Sequence, residues 1–281
     1  MLNLPKVEKR STGFALFLRT IIGRAYPRVI GQQRERSWII FDVFFPMVAV
    51  IGYVYIYKAI GAPSDYVGFV VLGGAMTSFW MNILWGMSSQ LYWEKETGNL
   101  SLYIASPAPM MGVLLGMAVG GLVATLIRAV GVILLGSLLF HVTYSIMNFP
   151  TLVLIFMLSM VALYGLGMMT SSIFLLLSRE AWHLANLAQE PIFLVSGFYF
   201  PLKFMPFWVS ALASLIPLTL GLDSMRQLIF ASGPTLGFLS VNIEAWILAA
   251  LAVVFIVAAK LLLDYMERLA IREGRITENR R

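Results

Sequence analysis

The groups with which this chain could do chemistry are few: two histidines, fourteen carboxylates, twenty Lys and Arg side chains and no cysteine. A metal centre needs several His, Cys or acidic ligands gathered together, and a hydrolytic triad needs a histidine beside its nucleophile. His141 and His183 fall on opposite sides of a long apolar stretch, so neither a catalytic residue nor a metal site is assigned. A phosphate-binding loop of the form Gly-x-x-x-x-Gly-Lys-Ser/Thr is excluded, because none of the six lysines follows a glycine. No enzyme activity is expected of the chain, and a nucleotide-driven process would need another polypeptide. What remains is charge in unusual places. Glu94, Lys95 and Glu96 lie in the polar run Trp93-Glu94-Lys95-Glu96-Thr97-Gly98 ahead of Ser106-Pro107, and Asp42, Arg128, Glu190 and Asp223 lie in or beside apolar sequence.

The elements that must position these groups are apolar. A hydrocarbon core about 30 Å thick needs roughly 20 helical residues, and the stretches Trp38–Tyr57, Tyr66–Gln90, Met110–Phe140, Phe149–Leu177, Ala181–Phe200 and Val241–Leu263 all reach that length. The second and fourth carry no charged side chain, which excludes a single soluble core. An all-α integral membrane fold with six transmembrane helices is expected. Eight of the twenty cations precede the first span and five follow the last, so both termini are expected on the cytoplasmic face and the number of crossings is even. That parity argues against a crossing at residues 207–222. Residues 201–233, with Pro201, Pro217 and Asp223, are expected to form short re-entrant helices in the outer leaflet, tolerated where protein or water surrounds them. The basic pI near 9.6 reflects cations facing anionic lipid and not a nucleic-acid surface. Phe14–Leu18 is cut short by Arg19, so no cleavable signal is expected.

Three parts follow from this pattern. Residues 1–36 form a cytoplasmic N-terminal segment in which Arg19, Arg24 and Arg28 alternate with apolar pairs, the spacing of an amphipathic helix in the headgroup layer, ended or kinked at Pro27. It is either a static anchor or a gate-like element. Residues 37–265 form the membrane domain, and residues 266–281 a basic cytoplasmic tail. Between the second and third spans, residues 92–103 are expected to form one short helix lying across the membrane plane, stopped by Ser106-Pro107-Ala108-Pro109. Two acids against one lysine on the cytoplasmic face suggest a socket for a partner. Within the membrane, Arg128 lies about 18 residues along the third span, hence about 27 Å from its start and near the outer leaflet. There it either snorkels or pairs with an acid such as Asp223. Glu190, beside Gln189, either lines a cavity or packs as a neutral hydrogen-bonding group, and Asp42 marks the cytoplasmic interface. Gly112, Gly116 and Gly120 share one face of the third span, either for packing within a subunit or as a homodimer seam. Phe198 and Tyr199 belong to an aromatic belt or line a path.

The order of these motifs resembles a known family. Gly31-Gln32-Gln33-Arg34-Glu35-Arg36 before the first span, Glu94-Lys95-Glu96-Thr97-Gly98-Asn99-Leu100 before Ser106-Pro107, and Ser196-Gly197-Phe198-Tyr199-Phe200-Pro201 with Ile216-Pro217-Leu218-Thr219 look like the type-2 ABC export permeases, in their daunorubicin-resistance and nodulation-type branch. The resemblance runs over residues 14–265. It implies a permease in the inner (cytoplasmic) membrane that dimerises with a second copy or a homologue. It also implies two cytosolic ABC ATPase subunits that bring ATP and Mg and dock at Trp93–Pro107. The cargo implied is a hydrophobic drug or lipid-linked molecule, with polysaccharide or teichoic-acid chains as the alternative. A gradient-driven secondary carrier is a rival of another class, for which only Glu190 lies near the midplane.

Overall fold

The structure, a computed structural model, describes residues 13–34, 36–177 and 180–273; the first twelve residues and the end of the basic tail lie outside it. The described residues are helical and form no strand. The order is α1 (Phe14–Arg34), α2 (Arg36–Ala59), α3 (Asp65–Met81), a π-helical segment (Asn82–Met87), α4 (Gln90–Glu96), α5 (Asn99–Ala105), α6 (Met110–Phe140), α7 (Phe149–Leu177) and α8 (Glu180–Val195). A single 3-10 turn, Leu202–Phe204, then leads to α9 (Phe207–Ala213), α10 (Pro217–Ile229), α11 (Gly233–Leu236) and α12 (Val241–Glu273).

Among the described residues, five helices are long and apolar enough to cross a bilayer: Ile40–Ala59, Asp65–Glu96, Met110–Phe140, Phe149–Leu175 and Val241–Met266. The second is buried along most of its length and forms the centre around which the others pack, whereas the first, third and fifth turn most of their surface outward. Without water to drive burial, this outward face is apolar: Leu134, Leu138, Trp246 and Val253 are all exposed. The chain is a multi-pass membrane protein.

One expectation about the spans changes. The stretch Ala181–Phe200 is helical only over Glu180–Val195, 16 residues or about 24 Å, because Gly197 takes a left-handed conformation at φ 71° and turns the chain. Beyond it, α9 and α10 meet at a 110° bend, so residues 207–229 are two short helices and not a straight crossing. Ile216-Pro217 supplies the corner, with Pro217 opening α10 where no N–H is needed.

The N-terminal helix also departs from expectation. It runs through Pro27 to Arg34. The glycine stripe of α6 receives it. A side chain at Gly112 would meet Phe17 and Thr20, one at Gly116 would meet Ile21 and Arg24, and one at Gly120 would meet Ala25 and Arg28. Both helices thus advance in the same direction, four residues for four, and α1 lies along α6 rather than across the spans. The stripe serves packing within the subunit. Phe14, Leu18, Ile22 and Tyr26 point outward, while Arg24 and Arg28 turn toward the protein.

Candidate functional site

The segment between the second and third spans is two helices, not one. The α4 helix continues the second span, and the chain then breaks at Thr97-Gly98, where Gly98 has φ 78° and closes the helix end as glycine readily does. The α5 helix follows and stops at Ser106, whose hydroxyl bonds the Tyr103 carbonyl at 2.9 Å and whose oxygen accepts the Ala108 N–H at 3.3 Å. Trp93, Glu96, Thr97, Gly98, Asn99 and Pro107 are exposed, and Lys95 and Ser106 half-buried.

Glu94 is the exception. Only 4% exposed, it faces inward and pairs with Arg24 of α1. The same carboxylate accepts the Gln90 amide at 2.8 Å and the Tyr103 hydroxyl at 3.2 Å. Arg24 also stacks over the Tyr103 ring at 5.4 Å, and Arg28 donates to Gln90 and to the Gly86 carbonyl, the latter at 3.2 Å. One helix of cations is thereby clasped to the segment expected to be a socket. Burial pushes the Tyr103 hydroxyl above its usual pKa and lowers the Arg28 guanidinium to about 10, so Tyr103 stays neutral and Arg28 charged near pH 7.

At the opposite end, Arg226 of α10 is buried and donates to backbone carbonyls of Phe69 (2.9 Å), Gly197 (2.5 Å), Phe198 (2.6 Å) and Phe200 (3.4 Å). Three of those carbonyls belong to the non-helical turn after α8. Such backbone persists at membrane depth only when its polar groups are bonded within the protein. Gly73 makes the fit possible, since a side chain there would fall 1.6 Å from the Phe198 carbonyl oxygen. Asp223 bonds the Gln227 amide at 3.0 Å and the Phe238 N–H at 2.9 Å, and Glu244 bonds Ser224 and the Leu239 N–H, joining α10 to α12.

Between the two ends lies a cavity of about 690 Å³, walled by α2, the α3–π-helix segment, α6 and the region around α8. Arg128 and Asp42 form an ion pair at its wall, Nη1 to Oδ2, 2.6 Å. In the 31-residue α6, about 46 Å long, Arg128 stands about 27 Å from the first residue and about 18 Å from the last. Asp223 is not its partner, because Gln227 and the Phe238 N–H hold that carboxylate elsewhere. Tyr199 lines the cavity, stacked on Tyr53 at 4.2 Å, and Gln189 accepts the Trp85 indole N–H at 3.0 Å beside it. Phe198 is fully buried behind the wall and Glu190 is exposed. Among the described residues, no three His, Asp or Glu side chains gather to hold a metal.

The model of the ABC-2 type transporter family matches residues 27–230. The chain belongs to this family. Comparison with curated proteins gives no match. As an ABC-2 membrane domain, the chain is a permease subunit of an ABC transporter.

In this ABC-2 permease the match runs from the last third of α1 through α10, taking in Glu94 but not its partner Arg24, the cavity and Arg226. Sequence reasoning missed the inward roles of Arg24 and Arg28 and the whole of the Arg226 cap. A signal for Arg226 existed: an arginine inside a segment expected to dip into the outer leaflet demands a partner by the same rule that singled out Arg128.

Proposed function

We propose that this permease works in ATP-driven export from the cytoplasmic membrane, with both termini cytoplasmic, and that it couples through the exposed edge formed by Trp93, Lys95, Glu96, Thr97, Gly98, Ser106 and Pro107. Two ATPase subunits, carrying ATP and Mg, meet two copies of the permease domain, and closure of the ATPases shifts the permeases between arrangements. The observation that carries the reading is the Glu94 clasp. It makes α4, α5 and α1 one body continuous with the second span, so a push on the exposed edge is delivered to Gly86 and Trp85 at the cavity. The cargo is a hydrophobic drug or lipid-linked molecule that enters beside Gln189 and Tyr199.

The clasp also decides how to test docking. Glu94→Lys would break an internal pair, whereas Glu96 is exposed and its reversal leaves the fold alone. Glu96→Lys should reduce co-purification with the partner ATPase, or uncouple hydrolysis from transport, without changing the thermal stability of the isolated permease. Unaltered assembly and transport in Glu96→Lys would remove the docking assignment.

A further inference from the structure

The 690 Å³ cavity carries two opposite charges whose bonding capacity is only partly used. A guanidinium has five N–H donors, and Arg128 offers one nitrogen, Nη1, to Asp42. The ion pair engages Asp42 through Oδ2, leaving Oδ1. Two neutral donors stand nearby on the same wall. Ser78 is 8% exposed and its hydroxyl has no hydrogen-bond partner among the described residues. Asn82 gives its carbonyl oxygen to Tyr164 at 3.0 Å, which directs its amide donors away from that bond. A buried hydroxyl without a partner forfeits its hydrogen bonds to water, so one kept at a cavity wall offers a donor to a ligand's acceptor. Phe45, Trp85 and Tyr199 also line the cavity.

Resting on the export reading, we propose that the cargo bound here is a zwitterionic amphiphile, a molecule joining a phosphate or carboxylate to an ammonium group on an apolar body. Its anionic oxygens accept from the spare N–H groups of Arg128 and from Ser78 and Asn82, and its ammonium meets Asp42 Oδ1 and the aromatic faces. The ion pair is the reason for the zwitterion. An anion alone would draw Arg128 from Asp42 and leave a carboxylate unpaired in an apolar surround, and a cation alone would strand the arginine. A zwitterion engages both without breaking either. The aromatic and aliphatic remainder of the wall, with Phe45 65% exposed toward the lipid side, suits chains left in the membrane while the headgroup enters.

The test is equilibrium binding to the full chain in maltoside micelles, read by native mass spectrometry. The probes are dihexanoyl phosphatidylethanolamine (zwitterionic), dihexanoyl phosphatidylglycerol (anionic), dihexanoylglycerol (neutral) and free phosphoethanolamine (the headgroup without chains). The zwitterionic lipid should bind about tenfold tighter than the anionic and neutral lipids, and about a hundredfold tighter than the free headgroup. Asp42→Asn should abolish the preference over the anionic lipid, Arg128→Gln the preference over the neutral one, and Ser78→Ala should weaken zwitterion binding with little structural change. Arg128→Lys, which keeps the charge, should retain part of the preference and so separates loss of recognition from misfolding. Equal binding of all the lipids, or preferences untouched by Asp42→Asn and Arg128→Gln, would overturn the proposal. Tight binding of the free headgroup would replace an amphiphile with a small soluble zwitterion and overturn it as well. Nucleotide-driven export of a fluorescent amphiphile by the assembled transporter separates the two readings. If export persists with equal lipid binding, only the headgroup assignment fails. If the preference is present and no export occurs, the export reading fails and the site stands.

Discussion

Removing Arg24 should loosen the chain far more than its place on a helix with an apolar outer face suggests. Its partner Glu94 has a side chain 6% exposed, against 28% for Arg24. Stripping the cation from a buried pair costs about 3–5 kcal/mol because the remaining charge is unpaired. Here Gln90 at 2.8 Å and Tyr103 at 3.2 Å still donate to the carboxylate, and Arg24 reaches some solvent, so about 2–3 kcal/mol is expected for Arg24→Met. Glu94→Gln leaves the cation instead, with water and the Tyr103 ring available to it, and should cost about 1–2 kcal/mol. The double variant has no stranded charge. Its loss should therefore fall short of the sum by about 1–2 kcal/mol. Unfolding of the permease in mixed micelles, titrated with a denaturing detergent, measures all four corners of this cycle. Additivity within about 0.5 kcal/mol, or a greater loss for Glu94→Gln than for Arg24→Met, would refute the claim that a buried ion pair holds α1 to α4.

Two further outcomes follow from the same geometry. Gly116→Val should displace α1, because a Cβ there would come within 2.7 Å of the Ile21 carbonyl oxygen, an overpacking cost of about 1–3 kcal/mol. As the chain has no cysteine, a Thr20→Cys, Gly112→Cys pair should oxidise to a disulfide in the parent and give a reduced yield with Gly116→Val, whereas Gly31→Ala, in open space, should leave the yield unchanged. Arg226→Lys replaces a planar fork with a point charge and leaves some of the four carbonyls unbonded, at about 1–3 kcal/mol for each. The monodisperse fraction on size exclusion should fall in Arg226→Lys and vanish in Arg226→Met; normal yields of both would show that the turn after α8 does not depend on the guanidinium.

The spans were legible because hydrocarbon thickness sets a length and apolar composition marks it, and the corner at Ile216-Pro217 because proline restricts both its own φ and the preceding residue. The limits have physical causes too. The spacing of Arg19, Arg24 and Arg28 marks a two-faced helix but not which face meets lipid, since a partner helix such as α6 can hold the cations as well as headgroups can. Asp42 and Arg128 lie on different helices, and only the packing of α2 against α6 brings them together. Gly98, by contrast, was a readable signal: a glycine between two short helical runs ends a helix through its left-handed conformation, and a single helix over 92–103 overlooked it. In the candidate path, Gln189 bonds the cavity-lining Trp85 while its neighbour Glu190 is exposed, a division that the turn of α8 makes and that adjacency in sequence conceals.

The length of α6 has a consequence for any contact made below it. A rod of about 46 Å in a hydrocarbon slab of about 30 Å leaves some 10–15 Å standing in the aqueous phase after an ordinary tilt, and the α3-to-α4 rod is of similar span. On the docking reading, that excess stands on the cytoplasmic side and holds the loop at Glu96 on a short stalk, beyond the low-dielectric region. Attractions there act through electrolyte with a Debye length near 8 Å, so the grip of a soluble motor on this protein should slacken as ionic strength rises, while Arg24 and Glu94, sheltered inside the stalk, should be indifferent to it.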